Sequence, residues 1–403
     1  MPLIIDGAQY CRYSEKIFRE LKAGGVTAIQ VTICYHETFR EVVANITQWN
    51  NWFRAFPDLI VPARSADDVV QAKRDGRTAV IFGFQNPAPI EDDLDLVEIW
   101  HQLGVRFMQL SYNNQSLLAT GCYEAEDPGI TCMGREVIRE MNRVGLAIDM
   151  SHSAERSTLQ AIELSSRPIA ITHANPSSWH AVARNKSDTV LRTLAASGGM
   201  LGFSLYPLHL RGGSGCSLKS FCEMVAETAA KIGVAHIGIG SDLCQDQPDS
   251  VVRWMRVGRW TRDTGGASGS LGAAVFPPQP EWFGNNTQFS TIAVGLKAVG
   301  FSQGDVDRIM GGNWLDFFAR GASRSAAAGA EPAPGAADRD APRASGQLSS
   351  DPAVVHARPA APVGARRLAL RAVALEHRRA SRRRRGVSRG RAGAKLQPGL
   401  LCA

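Results

Sequence analysis

The chain has 403 residues, of which 44% are hydrophobic and 21% charged, proportions typical of a globular protein with a sizeable core. It holds no run of about eighteen or more apolar residues, so we expect no transmembrane helix. Its first residues lack a basic segment followed by an apolar stretch, and we therefore expect no secretion and a cytoplasmic location.

Residues 1–320 repeat one pattern, in which a short apolar, β-branched run ends in a polar residue and a segment of helical periodicity follows. The predicted strands cover residues 3–6, 27–34, 78–85, 105–112, 146–152, 169–173, 199–206 and 236–242. The predicted helices between them cover residues 14–23, 38–56, 66–74, 94–103, 134–144, 154–164, 186–196 and 218–231. Residues 264–274 are predicted to form a glycine-rich loop, and residues 302–320 a closing helix.

Nearly continuous apolar strands are typical of a parallel sheet that is covered on both faces. Eight consecutive strand–helix units predict a closed (β/α)8 barrel, the TIM-type α/β fold. A doubly wound open sheet is the alternative fold. The barrel domain is expected to span residues 1–320.

Residues 321–403 differ in composition, because they are rich in Ala, Arg, Pro and Gly and nearly devoid of aromatic residues. They hold 16 Lys and Arg against 5 Asp and Glu, whereas residues 1–320 hold 29 against 33, so the net charge of +7 arises here. Such a segment buries too little apolar surface to offset its ordering entropy, and we expect a disordered tail. Four arginines at 382–385 could instead bind nucleic acid or an anionic surface, and a shifted reading frame would give the same composition.

Eight cysteines are scattered along the chain, and none forms a CxxC pair. In a chain of this length without a secretion signal, such cysteines are more often free thiols than a disulfide framework. We therefore expect free thiols.

Polar side chains end most of the predicted strands, and active sites of such barrels lie at those carboxyl ends. His152 and His173 end neighbouring strands, and Asp242 ends a strand two further on. Because adjacent strands lie about 4.8 Å apart, the two imidazoles can share one zinc ion at about 2.0–2.1 Å per bond. A hydrogen-bonded structural histidine is the alternative for either residue alone.

Other polar residues near these ends are candidates for binding substrate. Arg184 follows His173 by eleven residues and can hold a carboxylate through a bidentate pair, or it is an ordinary surface arginine. Tyr112 and Asn113 end the fourth strand, and residues 121–124 lie in the loop that follows it. The remaining histidines show no ligand-like pairing and are expected to be surface or packing residues: His36, His101, His180, His209 and His236.

The segments that carry these residues resemble the renal or membrane dipeptidase family in order and spacing, over roughly residues 1–320. They are GVRFMQLSY, MGREVIREMNRVGLAIDMSH, PIAITHAN, ARNKSD and IGIGSD. The resemblance implies a (β/α)8 barrel with two zinc ions that cleaves dipeptides, including those with a C-terminal D-residue, and it implies a homodimer. It also implies that His152 and His173 bind the second metal, that Arg184 receives the substrate carboxylate, and that Asp242 helps move a proton of the nucleophilic water.

The sequence departs from the family at the other half of the metal site. The family's first strand ends in Asp-Gly-His-x-Asp and supplies two ligands to the first metal, whereas Ala8 and Tyr10 stand at those positions here. Gln85 replaces the family's bridging glutamate, and Tyr112 replaces a histidine that contacts substrate. We therefore expect one zinc ion, held by His152, His173 and the amide oxygen of Gln85.

Two ligands and an amide hold zinc weakly, so a further ligand is expected from Glu37, Tyr112 or Asp242. The leading hypothesis is a hydrolase of dipeptides or related small amides with a free carboxylate, with Asp242 as general base and Tyr112 as oxyanion donor. The alternative is a non-hydrolytic or metal-free barrel that binds or processes a small carboxylate metabolite. A partner-binding scaffold with a basic tail is the third hypothesis; the barrel is expected to bind no nucleic acid.

Overall fold

Strands and helices alternate along the chain as the apolar pattern predicts. The computed structural model describes residues 2–258 and 275–322. Its strands are β1 (Ile5–Gln9), β2 (Ala28–Cys34), β3 (Ile60–Pro62), β4 (Thr78–Phe84), β5 (Val105–Gln109), β6 (Ala147–Asp149), β7 (Ala170–Ala174), β8 (Met200–Phe203) and β9 (Ile237–Ile239). Its helices are α1 (Glu15–Ala23), α2 (Phe39–Ala55), α3 (Ala66–Arg74), α4 (Asp95–Gln102), α5 (Cys132–Val144), α6 (Glu155–Leu164), α7 (Asp188–Ala196), α8 (Leu218–Ile232), α9 (Asp249–Val257), α10 (Phe289–Ala298), α11 (Gln303–Asp307) and α12 (Asn313–Ala322).

Eight of these strands close into a ring through parallel pairings. β2 pairs with both β1 and β4, β1 pairs with β9, and the pairing continues through β8, β7, β6 and β5 back to β4. The closed ring confirms the predicted (β/α)8 barrel and excludes the open sheet. The carboxyl ends of all eight strands therefore meet at one mouth of the barrel.

The sequence pattern missed some elements and merged others. β3 has three residues, ends in Pro62 and pairs with β4 outside the ring, so it is too short to show a period. The helices α9 and α10 were not predicted, and the predicted closing helix is divided into α11, a π-helical turn at Arg308–Gly312 and α12. Gly311 and Gly312, which have low helix propensity, lie in that turn. The predicted loop at 264–274 and residues 323–403 of the predicted tail lie outside the described residues.

The helix α5 illustrates why the outer helices form where they do. Val137, Ile138 and Met141 lie on one buried face, at the spacing of an amphipathic helix. The Thr131 hydroxyl accepts a hydrogen bond from the Gly134 N–H at 2.9 Å and caps the amino end. Gly145, with φ of 83°, ends the helix in a left-handed conformation that glycine adopts without strain.

Trp314 closes the barrel at the end opposite the mouth. Its indole Nε1 donates to the Ile239 carbonyl oxygen at 2.8 Å, and the side chain is 3% exposed. A Cβ atom added at Gly7 or Gly238 would come within 2.6 Å of the indole, so the ring fits only because both strands have glycine there. The floor of the barrel is thus filled by the indole of Trp314.

Two simpler expectations concern the described residues alone. The seven cysteines within them are free thiols, as expected. No helix in the described ranges has both the length and the apolar character needed to cross a bilayer.

Asp6 is a buried residue of β1, and its ionisation should make the stability of the protein depend on pH. It accepts hydrogen bonds from the Ser241 N–H at 2.6 Å and the Ser241 hydroxyl at 2.5 Å, yet burial raises its pKa to about 6. Because the folded state holds this proton more tightly than the unfolded chain, Asp6 makes the folded state less stable as pH rises from about 4 to 6. The pKa difference of about two units corresponds to about 3 kcal/mol.

We expect Asp6→Asn to remove this part of the pH dependence. Urea unfolding at pH 4.5 and pH 7.5 should show that the free energy of unfolding falls by about 2 kcal/mol less in the variant than in the parent, because the unfolded chain has already lost most of this proton at pH 4.5. Substitution of the exposed Asp58 by Asn is the matched control and should leave the parent's dependence intact. If the free energy of unfolding of Asp6→Asn fell with pH as much as that of the parent, Asp6 would not be the source of this dependence.

Candidate functional site

The predicted site residues come together at the barrel mouth, and all of them are buried. They are Gln85, Tyr112, Asn113, His152, His173, Arg184 and Asp242. Most lie in the turns just beyond the strand ends, since β5 ends at Gln109, β6 at Asp149 and β9 at Ile239. The structure thus brings these residues together at the carboxyl ends of the strands, and the turns set their geometry.

The two histidines face each other through their Nε2 atoms, which lie 3.0 Å apart. His152 Nδ1 lies 2.7 Å from the Asn113 side-chain oxygen, an acceptor, so Nδ1 carries the proton and Nε2 a lone pair. Asn113 adopts a φ of 60°, a conformation that places strain at this turn. The hydrogen bond fixes the His152 tautomer and its ring orientation.

Asp149, which the sequence analysis did not single out, fixes the tautomer of His173. The Thr172 hydroxyl donates to Asp149 Oδ2 at 2.6 Å, so at 2.8 Å it can only accept from His173 Nδ1. The Ser151 hydroxyl also donates to Asp149, at 2.6 Å, and accepts from the His173 backbone N–H at 3.1 Å. One buried carboxylate thus orients the turns that carry both imidazoles.

Both imidazoles are therefore neutral, with lone pairs directed at one point. Burial, reinforced by the Arg184 charge, lowers the pKa of His152 and of His173 well below the usual value, so no proton is retained between them. Two nitrogens bound to one tetrahedral zinc ion lie about 3.3 Å apart, close to the observed separation. This donor pair fits one cation.

The rest of the mouth offers little more to a metal. Within the described residues, no group of three or more His, Cys, Asp or Glu side chains is arranged to hold a metal ion. The Gln85 amide nitrogen donates to Thr32 Oγ1 at 2.9 Å and to the Tyr35 hydroxyl at 3.2 Å, which leaves its carbonyl oxygen as the only ligand atom it can offer. Gln85 could therefore offer a cation only a weak, neutral oxygen ligand.

Aromatic side chains occupy the corner where the family's first-metal ligands would lie. The Tyr10 and Tyr35 rings meet edge to face with centroids 4.7 Å apart, and Tyr35 meets Tyr112 at 5.1 Å. Burial, with the nearby Glu37 charge, raises the pKa of Tyr10, so its phenol stays protonated and is a poor ligand. Ala8, 1% exposed, supplies no donor atom. These residues do not fit the family's first metal ion.

Tyr112 and Asp242 also lie at the barrel mouth, close enough for the Asp242 charge to act on the Tyr112 phenol. The Tyr112 ring stacks on His152 with centroids 4.2 Å apart, and burial raises the pKa of its phenol, which stays a hydrogen-bond donor. Asp242 has a φ of 56°, and its N–H donates to the Ala8 carbonyl at 2.9 Å. Burial raises the pKa of Asp242 to about 7, a value suited to proton transfer near neutrality.

Arg184 is an integral part of the site and not a surface arginine, since it is 2% exposed. Its guanidinium donates to the Ser151 carbonyl and, at 3.2 Å, to the His173 carbonyl. Lys186 donates to the Ser153 carbonyl at 2.6 Å in the same way. These cations brace the two histidine-bearing turns, and a guanidinium with five N–H groups retains others for a ligand.

A cavity of about 630 Å³ opens beside Tyr112 at the mouth. Its walls include the apolar side chains of Pro87, Ala88, Ile90, Leu117 and Leu118. His36 also lines it and packs against Tyr112 with centroids 5.4 Å apart. Arg256, on the unpredicted helix α9, lines the cavity as well. No sequence signal marked these residues, because segments distant in the chain form the cavity.

Comparisons with known proteins agree with this architecture. The model of the membrane dipeptidase family (peptidase family M19) matches residues 15–253. The dipeptidase tcpJ of Claviceps purpurea is 27% identical over 212 residues, which cover 52% of this chain and 50% of that protein. The chain thus spans about half the length of the curated relatives it matches.

Solved structures extend the likeness over most of the barrel. An amidohydrolase from Pseudomonas aeruginosa is 32% identical, with a TM-score of 0.75 over 79% of this chain and 96% of that one. A metallopeptidase from Rhodobacter sphaeroides is 18% identical and shares the fold, with a TM-score of 0.66 over 79% of this chain and 99% of that one. The family match covers the segments that carry both histidines, Arg184 and Asp242. The chain belongs to the membrane dipeptidase family, peptidase family M19.

Proposed function

We propose that this protein is a zinc hydrolase with a single metal ion, which cleaves a dipeptide or a related small amide that carries a free carboxylate. The observation that carries the proposal is the pair of Nε2 lone pairs 3.0 Å apart on His152 and His173. Without a cation, two such lone pairs would repel each other inside a buried site. The names of the curated relatives, which are dipeptidases, support the substrate class.

A metal is expected because the family is one of metallopeptidases. We propose zinc because imidazole nitrogens suit it in an open catalytic site, and one ion because Ala8 and Tyr10 offer no first-metal ligands. His152 and His173 would hold the ion, with the Gln85 amide oxygen as a weaker third ligand. When bound, zinc supplies a Lewis acid that polarises a carbonyl and makes water more acidic.

The protein's own groups would perform the remaining steps. Asp242, with its pKa raised to about 7, accepts a proton from the attacking water. Tyr112 donates its phenolic hydrogen to the oxygen that becomes negative in the transition state. Arg184 holds the substrate carboxylate with the N–H groups that its backbone contacts leave free. Asn113 contacts the substrate in this proposal while its side-chain oxygen keeps His152 oriented.

One observation favours the alternative of a metal-free barrel that binds a small carboxylate. Among the described residues no three-ligand group exists, and the Gln85 amide nitrogen is bound by two hydroxyl oxygens. In that case Arg184 would still receive a carboxylate, but no amide would be cleaved. Metal content separates the two functions. The expected homodimer and cytoplasmic location stay predictions.

The metal assignment predicts a stoichiometry. Protein purified with zinc available should contain about one equivalent of zinc, and His152→Ala combined with His173→Ala should remove the zinc and the hydrolysis together. Removing both imidazoles deletes the only strong ligands. Elemental analysis and an activity screen on the same preparation measure both effects.

The control for this pair is His236→Ala. His236 lies away from the mouth, where its Nδ1 lies 3.0 Å from the Gly199 carbonyl oxygen. This variant should keep parent levels of zinc and activity. Parent protein without stoichiometric metal would refute the hydrolase, and a metal-loaded, active double variant would refute the ligand assignment.

The role of Arg184 predicts a selective kinetic effect. In Arg184→Met, KM for a dipeptide with a free carboxylate should rise about tenfold to a hundredfold, because a charge-assisted hydrogen bond is lost. KM for the same dipeptide with an amidated C-terminus should change little, since that substrate has no charge for Arg184 to hold. Comparison of two substrates on one variant cancels any effect on the histidine turns. Equal losses on both substrates would contradict the carboxylate role.

A further inference from the structure

Arg256 brings a cation to the cavity beside Tyr112. Its Nη1 atom is buried and has no hydrogen-bond partner among the residues that the structure describes. A buried charged donor without an acceptor is costly, and native structures seldom leave one unsatisfied. The Nη1 atom therefore lacks an acceptor at the wall of the cavity that Arg256 shares with Tyr112.

The contacts of Arg256 place it next to the reacting groups. Its side chain hydrogen-bonds Tyr206, whose phenol lies near enough to Asp242 for that carboxylate to raise its pKa. Arg256 also lines the same cavity as Tyr112. A group held at Arg256 would therefore lie on the Asp242 and Tyr112 side of the mouth.

The carboxylates that line the same cavity do not satisfy Arg256. Glu37 is occupied, because it accepts from the Tyr35 N–H at 2.5 Å, the His36 N–H at 3.0 Å and the Trp254 indole at 3.2 Å. Glu91 is exposed at the rim, where solvent screens its charge. The apolar walls between rim and mouth suit a short methylene chain.

We propose that Arg256 receives a second carboxylate of the substrate, so that the preferred substrates are dipeptides or N-acyl amino acids with an acidic side chain. The inference rests on the proposed function: one carboxylate binds at Arg184 and the other, on a short methylene stem along Ile90 and Leu118, binds at Arg256. A planar guanidinium pairs with a carboxylate through two parallel hydrogen bonds. Arg256 is in this sense a specificity-determining residue.

The test compares isosteric substrates that differ only in charge. Dipeptides with Glu or Gln at the same position, and with Asp or Asn, are assayed with the parent and with Arg256→Met. The parent should favour the acidic member by about tenfold to a hundredfold in kcat/KM, and the variant should lose this preference while it keeps its rate on the Gln and Asn peptides. Arg256→Lys should keep part of the preference. Arg253→Met, an exposed arginine on the same helix, should behave as the parent.

A binding measurement separates this inference from the proposed function. Glutarate and glutaramate, in which an amide replaces one of the two carboxylates, are titrated calorimetrically into the parent and into Arg256→Met. Glutarate should bind the parent more tightly than glutaramate does, and Arg256→Met should abolish this difference. That result supports the Arg256 site even if no peptide is cleaved; in that case the proposed function alone fails. Equal kcat/KM for acidic and amide peptides in the parent, or glutarate binding unchanged in a folded Arg256→Met, overturns the inference and leaves the hydrolase intact.

Discussion

Two neutral imidazoles face each other across 3.0 Å at the barrel mouth, and the surrounding structure holds them there. Asp149 accepts the hydroxyl hydrogens of Ser151 and Thr172, and this leaves Thr172 able only to accept from His173. The Asn113 side-chain oxygen accepts a hydrogen bond from His152 Nδ1 and so fixes the tautomer of that ring as well. The hydrogen bonds at the two Nδ1 atoms therefore fix both tautomers, so that the two Nε2 lone pairs face each other.

The other half of the mouth shows what the barrel does without the first-metal ligands. Tyr10, Tyr35 and the Gln85 amide fill that corner with edge-to-face aromatic contacts and hydrogen bonds between neutral groups. Such contacts need no cation, so loss of the family's charged ligands leaves no unpaired charge in this corner. The same replacement places phenols beside His152, where Tyr112 now stacks. Tyr112 also lines the cavity of about 630 Å³ at the mouth.

The barrel strands and the two histidines at their ends could be predicted from the sequence, for physical reasons. The eight barrel strands are continuous apolar runs because both faces are covered, and His152 and His173 stand out because each follows such a run. Asp149 was not predicted, because its role arises from its contacts to Ser151, two residues further on, and to Thr172 on the neighbouring strand. Arg256 and His36 were not predicted to line a cavity, because the segments that form it are distant from one another in the chain. The three-residue strand β3 is too short to show any period.

The central claim, one zinc ion between His152 and His173, is tested most directly by anomalous diffraction at the zinc edge from crystals grown with zinc. The account predicts a single strong peak within about 2.0–2.1 Å of both Nε2 atoms. Two peaks, with one beside Tyr10 and Gln85, would show that the first-metal site survives with other ligands. No peak in a zinc-saturated crystal would contradict the account and leave the metal-free carboxylate-binding barrel as the better description.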